Sequence, residues 1–312
     1  MRFAVESWSA EYGTPTGADA LTESTTQVDA WVEASAEQWA PRAAAEHVEP
    51  FADVLFVDGV RRVEANVWIT DPAGVVHQGI CASYAAGAVR CNGKAEMVAA
   101  EVRRGLFCLA EGAGSIDTKH ARFTLQVATS DDPDQLSIDL QIKMGELEGQ
   151  VAALVHDADP VELTVVDGPL KMGQTRPDQI GFVKTHRISY GPPLVREVVT
   201  KLAVGERTPV IIVGERMHRY TWYLRLPCEI AHGWAGVVRI ETTADQPVAD
   251  AIALADRLAV TLPRFASKPQ KDPRAPQNLY PIGGLERELR RRLGDPALIL
   301  RALREAAARG TS

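Results

Sequence analysis

The chain of 312 residues has no run of about 18 consecutive apolar residues, the length that a membrane-spanning helix needs. Its start, MRFAVESWSAEYG, has no apolar stretch behind a basic one, so no secretory leader is expected and a cytoplasmic protein without membrane contact is the expectation. Cysteine is scarce. Cys81, Cys91, Cys108 and Cys228 are spaced too widely for a CxxC zinc site, and a reducing compartment disfavours disulfides, which leaves buried, inert thiols. No Walker A or comparable Gly-rich nucleotide loop occurs, which argues against a phosphotransferase. Positive charge is also short: a formal net charge of −7 argues against a protein coated by nucleic acid. That average hides an asymmetry. Residues 1 to 60 carry eleven acids against two arginines, whereas residues 264 to 309 carry eleven Lys or Arg against five acids. Only the C-terminal part offers a surface for phosphates or an acidic partner.

What is present fits an enzyme-sized globular fold, with 46% apolar and 24% charged residues. We read a helical N-terminal arm over residues 1 to 50, a core over 51 to 295 and a C-terminal helix or tail over 296 to 312. The arm rests on the Ala- and Glu-rich stretch 15 to 50, where Trp31 and Trp39 recur at roughly helical spacing. VLFVDGVRRVEANVWIT, the turn DPAG and VVHQGICASYAA read as three consecutive antiparallel strands. From Pro133 to Asp157, the spacing of Leu136, Leu140, Met144, Leu147, Val151, Leu154 and Val155 predicts a helix with one apolar stripe. VELTVVDGPL then reads as a short buried strand. Strands at 180 to 188 and 209 to 214, a helix at 193 to 203, a hairpin through RYTWYLRLP and GWAGVVRIE, and a helix near 246 to 262 follow. Three antiparallel strands, a helix and a strand returning beside the first is the order of an RNase H-like α/β fold, a mixed sheet flanked by helices.

Asp58 and Asp167 each end a strongly apolar strand, LFVD and LTVVD, and each precedes Gly. One Asp-Gly after a strand is an ordinary turn; two, on strands expected side by side, suit carboxylates that hold hard divalent cations for phosphodiester hydrolysis. On the intervening helix Glu146 and Glu148 point roughly 200° apart, so only one can face the sheet edge. Glu148 flanks the apolar stripe, Glu146 is the alternative, and both could equally be solvated helix charges. Lys184, in IGFVKTH, lies close to the same strand ends, as a phosphate contact or a surface lysine. His186 suits packing better than metal ligation. Arg274, in the loop DPRAPQNL, is a candidate backbone-phosphate contact, whereas Arg290, Arg291 and Arg292 suit an exposed helix with pairs such as Glu286 and Arg290.

The series FVDGVRR at 56 to 62, KMGELEG at 143 to 149, VVDGPL at 165 to 170, IGFVKTH at 180 to 186, TWYLRL at 221 to 226 and DPRAPQNLYPIGGLE at 272 to 286 resembles the NurA nuclease family, in particular its bacterial branch. The resemblance spans about residues 50 to 295. It implies an RNase H-like DNA nuclease, a 5′–3′ exonuclease or single-strand endonuclease or both, using Mn²⁺ or Mg²⁺. It further implies a homodimer that works with a HerA-type hexameric translocase in end resection, repair or phage defence. By position it assigns Asp58, Glu148 and Asp167 as metal ligands and Lys184, the lysine of the following strand, as a further catalytic residue, with the fourth active-site group left open. Archaeal relatives place a histidine in the C-terminal motif; this chain has none after His232 and offers Asp272 or Glu286. A scaffold that binds and loads a partner ATPase, with Trp31 and Trp39 as anchors, is the competing reading.

Overall fold

β-Branched and aromatic runs broken by short turns form strands here, and the apolar stripes at helical spacing form helices. A computed structural model describes residues 22–23, 26–70, 73–110, 112–171, 176–186, 188–214 and 218–310. Strands β1 (Thr22–Glu23) and β2 (Val28–Asp29) precede three long ones, β3 (Val54–Thr70), β4 (Val76–Cys91) and β5 (Ala95–Cys108). Next come β6 (Ile116–Asp117), β7 (Arg122–Val127), helix α1 (Pro133–Ala158), β8 (Leu163–Asp167), β9 (Gln179–Val183) and β10 (Ile188–Ser189). The remainder is α2 (Pro193–Lys201), β11 (Ile211–Val213), β12 (Arg219–Arg225), β13 (Val237–Thr243), α3 (Val248–Thr261), α4 (Tyr280–Arg292) and α5 (Pro296–Gly310). The chain is α/β, with mixed parallel and antiparallel pairing. Among the described residues no helix is long and apolar enough to cross a membrane.

Two compact units divide the chain, and the region read as one core contributes to both. The first comprises Met1–Phe56, Arg90–Ala95 and Val161–Gly283. Its strands run in the order β2-β11-β12-β13-β9-β8, with the beginning of β3 next. β12 and β13 form the expected antiparallel hairpin, while β8 and β9 pair in parallel. Val195, Val198, Val199 and Leu202 bury one side of α2 and its end against Ile211, Tyr223 and Val237. Arg225, fully buried in the same unit, donates to the carbonyls of Leu202, Val199, Ala235 and Gly233, so its charge is met by backbone dipoles.

The N-terminal stretch corrects the expected helical arm. Residues 1 to 21, 24 and 25 lie outside the described residues; from 26 to 50 the chain forms no α-helix and instead holds β2, bends, a 3-10 turn at Ala36–Gln38 and a turn near residues 46 to 47. Tertiary partners override local propensity here. β2 pairs with β11, and Arg42 exchanges backbone hydrogen bonds with Arg207 at 2.8 and 2.9 Å. Glu33, buried, accepts from Arg207 Nη1 and Nη2 at 2.8 and 3.0 Å and from the Val210 amide at 2.6 Å. Trp39 is buried with its indole N–H on the Ala30 carbonyl at 2.8 Å, and Trp31 packs edge-on against it. Trp39 is therefore part of a core and not an exposed anchor.

The second unit comprises Val57–Val89, Glu96–Pro160 and Gly284–Ser312. Its strands run in the order β3-β4-β5-β7-β6. β3, β4 and β5 are successive neighbours joined by short turns, as antiparallel strands can be. α1 starts where Asp132 caps it, its side chain accepting the amides of Asp134 and Gln135 at 2.9 and 3.1 Å. The predicted stripe is buried from Leu136 through Leu140, Met144 and Leu147 to Val151, but Leu154 is exposed. Ile299 and Leu303 of α5 join Cys81, Leu106, Cys108 and Phe123 in a separate core. Leu285 and Leu289 of α4 come down onto Gly87, where any added Cβ would lie 2.9 Å from the Ala99 carbonyl and 3.0 and 3.1 Å from the two leucines. All four cysteines are free thiols, three of them buried, and burial pushes the Cys81 thiol up to about 12, in keeping with an inert role.

Candidate metal centre

In the second unit Asp58 sits in β3 with only 5% of its surface exposed, its Oδ1 accepting the Gly59 amide at 2.7 Å. Glu148 of α1 is 3% exposed. The register of the apolar stripe brings it down: Met144, Leu147 and Val151 turn into the core, and Glu148 goes with them. A Cβ built on Gly59 would stand 2.6 Å from Glu148 Oε1 and 2.9 Å from Met144 Cγ. Only glycine after Asp58 leaves room for that carboxylate, a reason for the Asp-Gly pair beyond turn chemistry. Glu146 separates from Glu148 on the same evidence of position: it is half exposed and ion-paired with Lys143 at 2.9 Å, a solvated helix charge. Glu286 lies in α4, partly covered.

In the first unit Asp167 ends β8, and the parallel register sets it opposite Phe182 of β9. β9 stops at Val183, short of the strand expected through residue 188, so Lys184 stands just past the strand end. Its ammonium meets Asp167 Oδ2 at 2.6 Å, with both side chains largely covered. Asp167 Oδ1 is buried and makes no hydrogen bond. The turn after Asp167 is held tightly. Gly168 has φ +96°, in the left-handed region that favours glycine, and a Cβ on Gly181 would come within 2.7 Å of the Leu170 nitrogen. The Leu170 amide donates to Glu241 Oε2 at 3.1 Å, and Arg219 and Arg239 flank that buried carboxylate at 3.1 and 3.0 Å.

A second support comes from the loop before α4. Lys184 donates to Asn278 Oδ1 at 2.9 Å, and Asn278 Nδ2 donates to Asp272 Oδ2 at 2.8 Å. The other Asp272 oxygen accepts the Arg274 amide at 2.8 Å. Asp272 thus spends both oxygens on shaping its own loop, which leaves Glu286 the better of the two acids offered by the C-terminal motif. Arg274 is mostly covered, its Nε 3.8 Å from Asp272. His186 is fully buried between Tyr223 and Trp234, with Nε2 3.0 Å from the Val237 carbonyl; burial lowers its imidazole to about 4, so it packs as a neutral ring. Asn278 and Glu241 escaped the sequence reading. The first lies inside a motif whose prolines and charges drew the attention, and the second sits in RIETT, whose alternation gives no sign of a buried acid. Compared with models of known protein families and with curated proteins, the chain matches none.

Proposed function

We propose that this chain is a metal-dependent DNA nuclease of RNase H-like architecture and NurA type, in which Asp58, Glu148 and Asp167, joined by Glu286, hold Mn²⁺ or Mg²⁺. The observation that carries the reading is the burial of the three acids expected from the sequence: Asp58 and Glu148 are at most 5% exposed and the Asp167 side chain 15%. Ionised carboxylates leave water at high cost unless a cation or donors meet them. The donor set is oxygen only, which hard divalent ions prefer over sites rich in His or Cys. Three long strands, then β6, β7, α1 and β8, whose neighbour in the strand order is β3, support the RNase H-like architecture.

Bound divalent ions would supply Lewis-acid stabilisation of the phosphate and an acidified water. The protein's own part is positional. Lys184 fixes Asp167 through Oδ2 and leaves Oδ1 for a cation. Asn278 braces the ammonium from the other side, and Asp272 braces Asn278. Lys184 and Arg274 are the groups we assign to the DNA backbone phosphates. With no ATP motif in this chain, movement along DNA falls to a separate motor, in our reading a HerA-type hexamer engaging a homodimer of this protein.

Asp58→Ala and Asp167→Ala should each abolish Mn²⁺-dependent degradation of linear DNA labelled at its 5′ or 3′ end, with the circular dichroism of the fold retained. Wild-type rates in either variant would overturn the assignment.

A further inference from the structure

The second unit carries a hollow of about 330 Å³ against β4, β5, β7 and α1 that uses none of the carboxylates assigned above. β5 and β7 pair in parallel, with Gly105 opposite Thr124 and Phe107 opposite Gln126. Gly105 lets the Phe107 ring and the Gln126 side chain pack closely against β5 there: a Cβ at that position would lie 2.6 Å from the Phe107 ring and 3.1 Å from Gln126 Cγ. The Tyr84 ring, buried and edge-on against Phe107, lines the floor of the hollow.

Around this floor stand four cations, Arg103, Arg104, Arg122 and Lys143, against one acid, Glu146. Their attachments differ. Arg103 is oriented by Glu101 at 2.7 Å and Gln150 at 2.8 Å, so its guanidinium is fixed in place. Arg104 is tethered by one nitrogen to the Leu293 carbonyl at 3.1 Å, while its Nε is buried without a hydrogen-bond partner. Arg122, exposed, pairs only loosely with Asp117 at 3.6 Å. Glu146 is spent on Lys143. With Glu101 on Arg103 and Asp117 near Arg122 counted as well, the net surplus is one positive charge, centred on Arg104, and the lining is donor-rich, with the Thr124 hydroxyl and the Tyr84 phenol beside it. Burial raises the Tyr84 phenol above its ordinary value, so at neutral pH it carries its proton.

Fixed guanidinium forks with an ammonium and hydroxyl donors match a phosphate, whose oxygens accept from every side. The volume is at the small end of ligand pockets, roughly 300 Å³ and upward, so it suits one nucleotide unit better than a large cofactor. We propose that this hollow is a phosphate-recognition site for a single nucleotide unit, either within a nucleic-acid strand or as a free mononucleotide. It does not rest on the hydrolytic reading.

The test uses the full chain in EDTA, so that no metal chemistry contributes. Fluorescence anisotropy of labelled decathymidylate and calorimetric titration with dTMP and inorganic phosphate give the affinities. Arg122→Glu and Lys143→Glu, singly and together, should weaken binding at least about tenfold, and each should lower the salt slope for the strand by roughly one. Arg301→Glu, on an exposed α5 residue outside the hollow, guards against a general charge effect and should leave affinity unchanged. Strand binding without dTMP binding assigns the site to the polymer backbone; dTMP or phosphate binding that is lost in the variants assigns it to free nucleotides. Equal affinities for wild type and the double variant, an equal loss in Arg301→Glu, or no binding of any of the three ligands would overturn the proposal.

Discussion

Gly59→Ala offers a direct measure of how closely the Glu148 carboxylate is tied to activity. The added methyl would begin 2.6 Å from Glu148 Oε1, 2.9 Å from Met144 Cγ and 3.2 Å from the Ala85 carbonyl oxygen. Ala85 belongs to the middle of β4 and cannot yield, so the helix side must. Reaching ordinary contact means a retreat of the carboxylate by roughly 0.8 Å. Metal ligands tolerate about 0.2 Å, and a misplacement near 1 Å can lower a rate by about a hundredfold. Overpacking of this size costs about 1–3 kcal/mol, small enough for the fold to survive. The initial rate on labelled linear DNA at saturating Mn²⁺ should therefore fall by roughly two orders of magnitude. The melting point should stop responding to Mn²⁺. Glu148→Gln, which keeps the volume, should lose activity in the same way. A Gly59→Ala protein with the wild-type rate and wild-type Mn²⁺ response would refute the role given to Glu148.

His186 gives a prediction about pH. Its imidazole is depressed from 6.5 to about 4 by burial, so the unfolded chain takes up a proton before the native one does. Stability is then unaffected above pH 6.5 and falls as the pH drops from there toward 4. About 2 kcal/mol should be lost between pH 7 and pH 5, read by urea unfolding with tryptophan fluorescence. His186→Phe should flatten that slope, and an unchanged slope in the variant would sink the reasoning. Glu33→Gln removes the main counter-charge of the buried Arg207 and should lower stability by about 3 kcal/mol in the same assay; a loss below about 1 kcal/mol would mean that Asp256 alone suffices for Arg207.

Where neighbours in sequence are also neighbours in space, the elements could be read directly. The boundaries of α1 follow from Asp132 and Pro133 at one end and an unbroken apolar stripe to Val151. The hairpin of β12 and β13 and the strand ending at Asp167 follow from alternation and turns. The non-helical stretch from 26 to 50 could not be read, because Glu33 is held by Arg207, 174 positions away. β7 was missed for a similar reason: RFTLQV is short, and its partner β5 is reached only through a parallel pairing. Among the candidate residues, the burial of Asp58, Glu148, Asp167 and Lys184 could be read from the apolar runs beside them. Asn278 could not be read, since a neutral amide becomes meaningful only when Lys184 and Asp272 are found on either side of it.

Each unit is assembled from three separate stretches, and β3 passes from one unit to the other between Phe56 and Val57. Simple truncation will therefore not yield either half as an independent protein. During synthesis, the portion that begins at Gly284 leaves the ribosome after every other piece. Until then, Gly87 and the strands beneath α5 must wait with their apolar surface uncovered. Nascent chains stalled before that point should be the species that chaperones hold and proteases find.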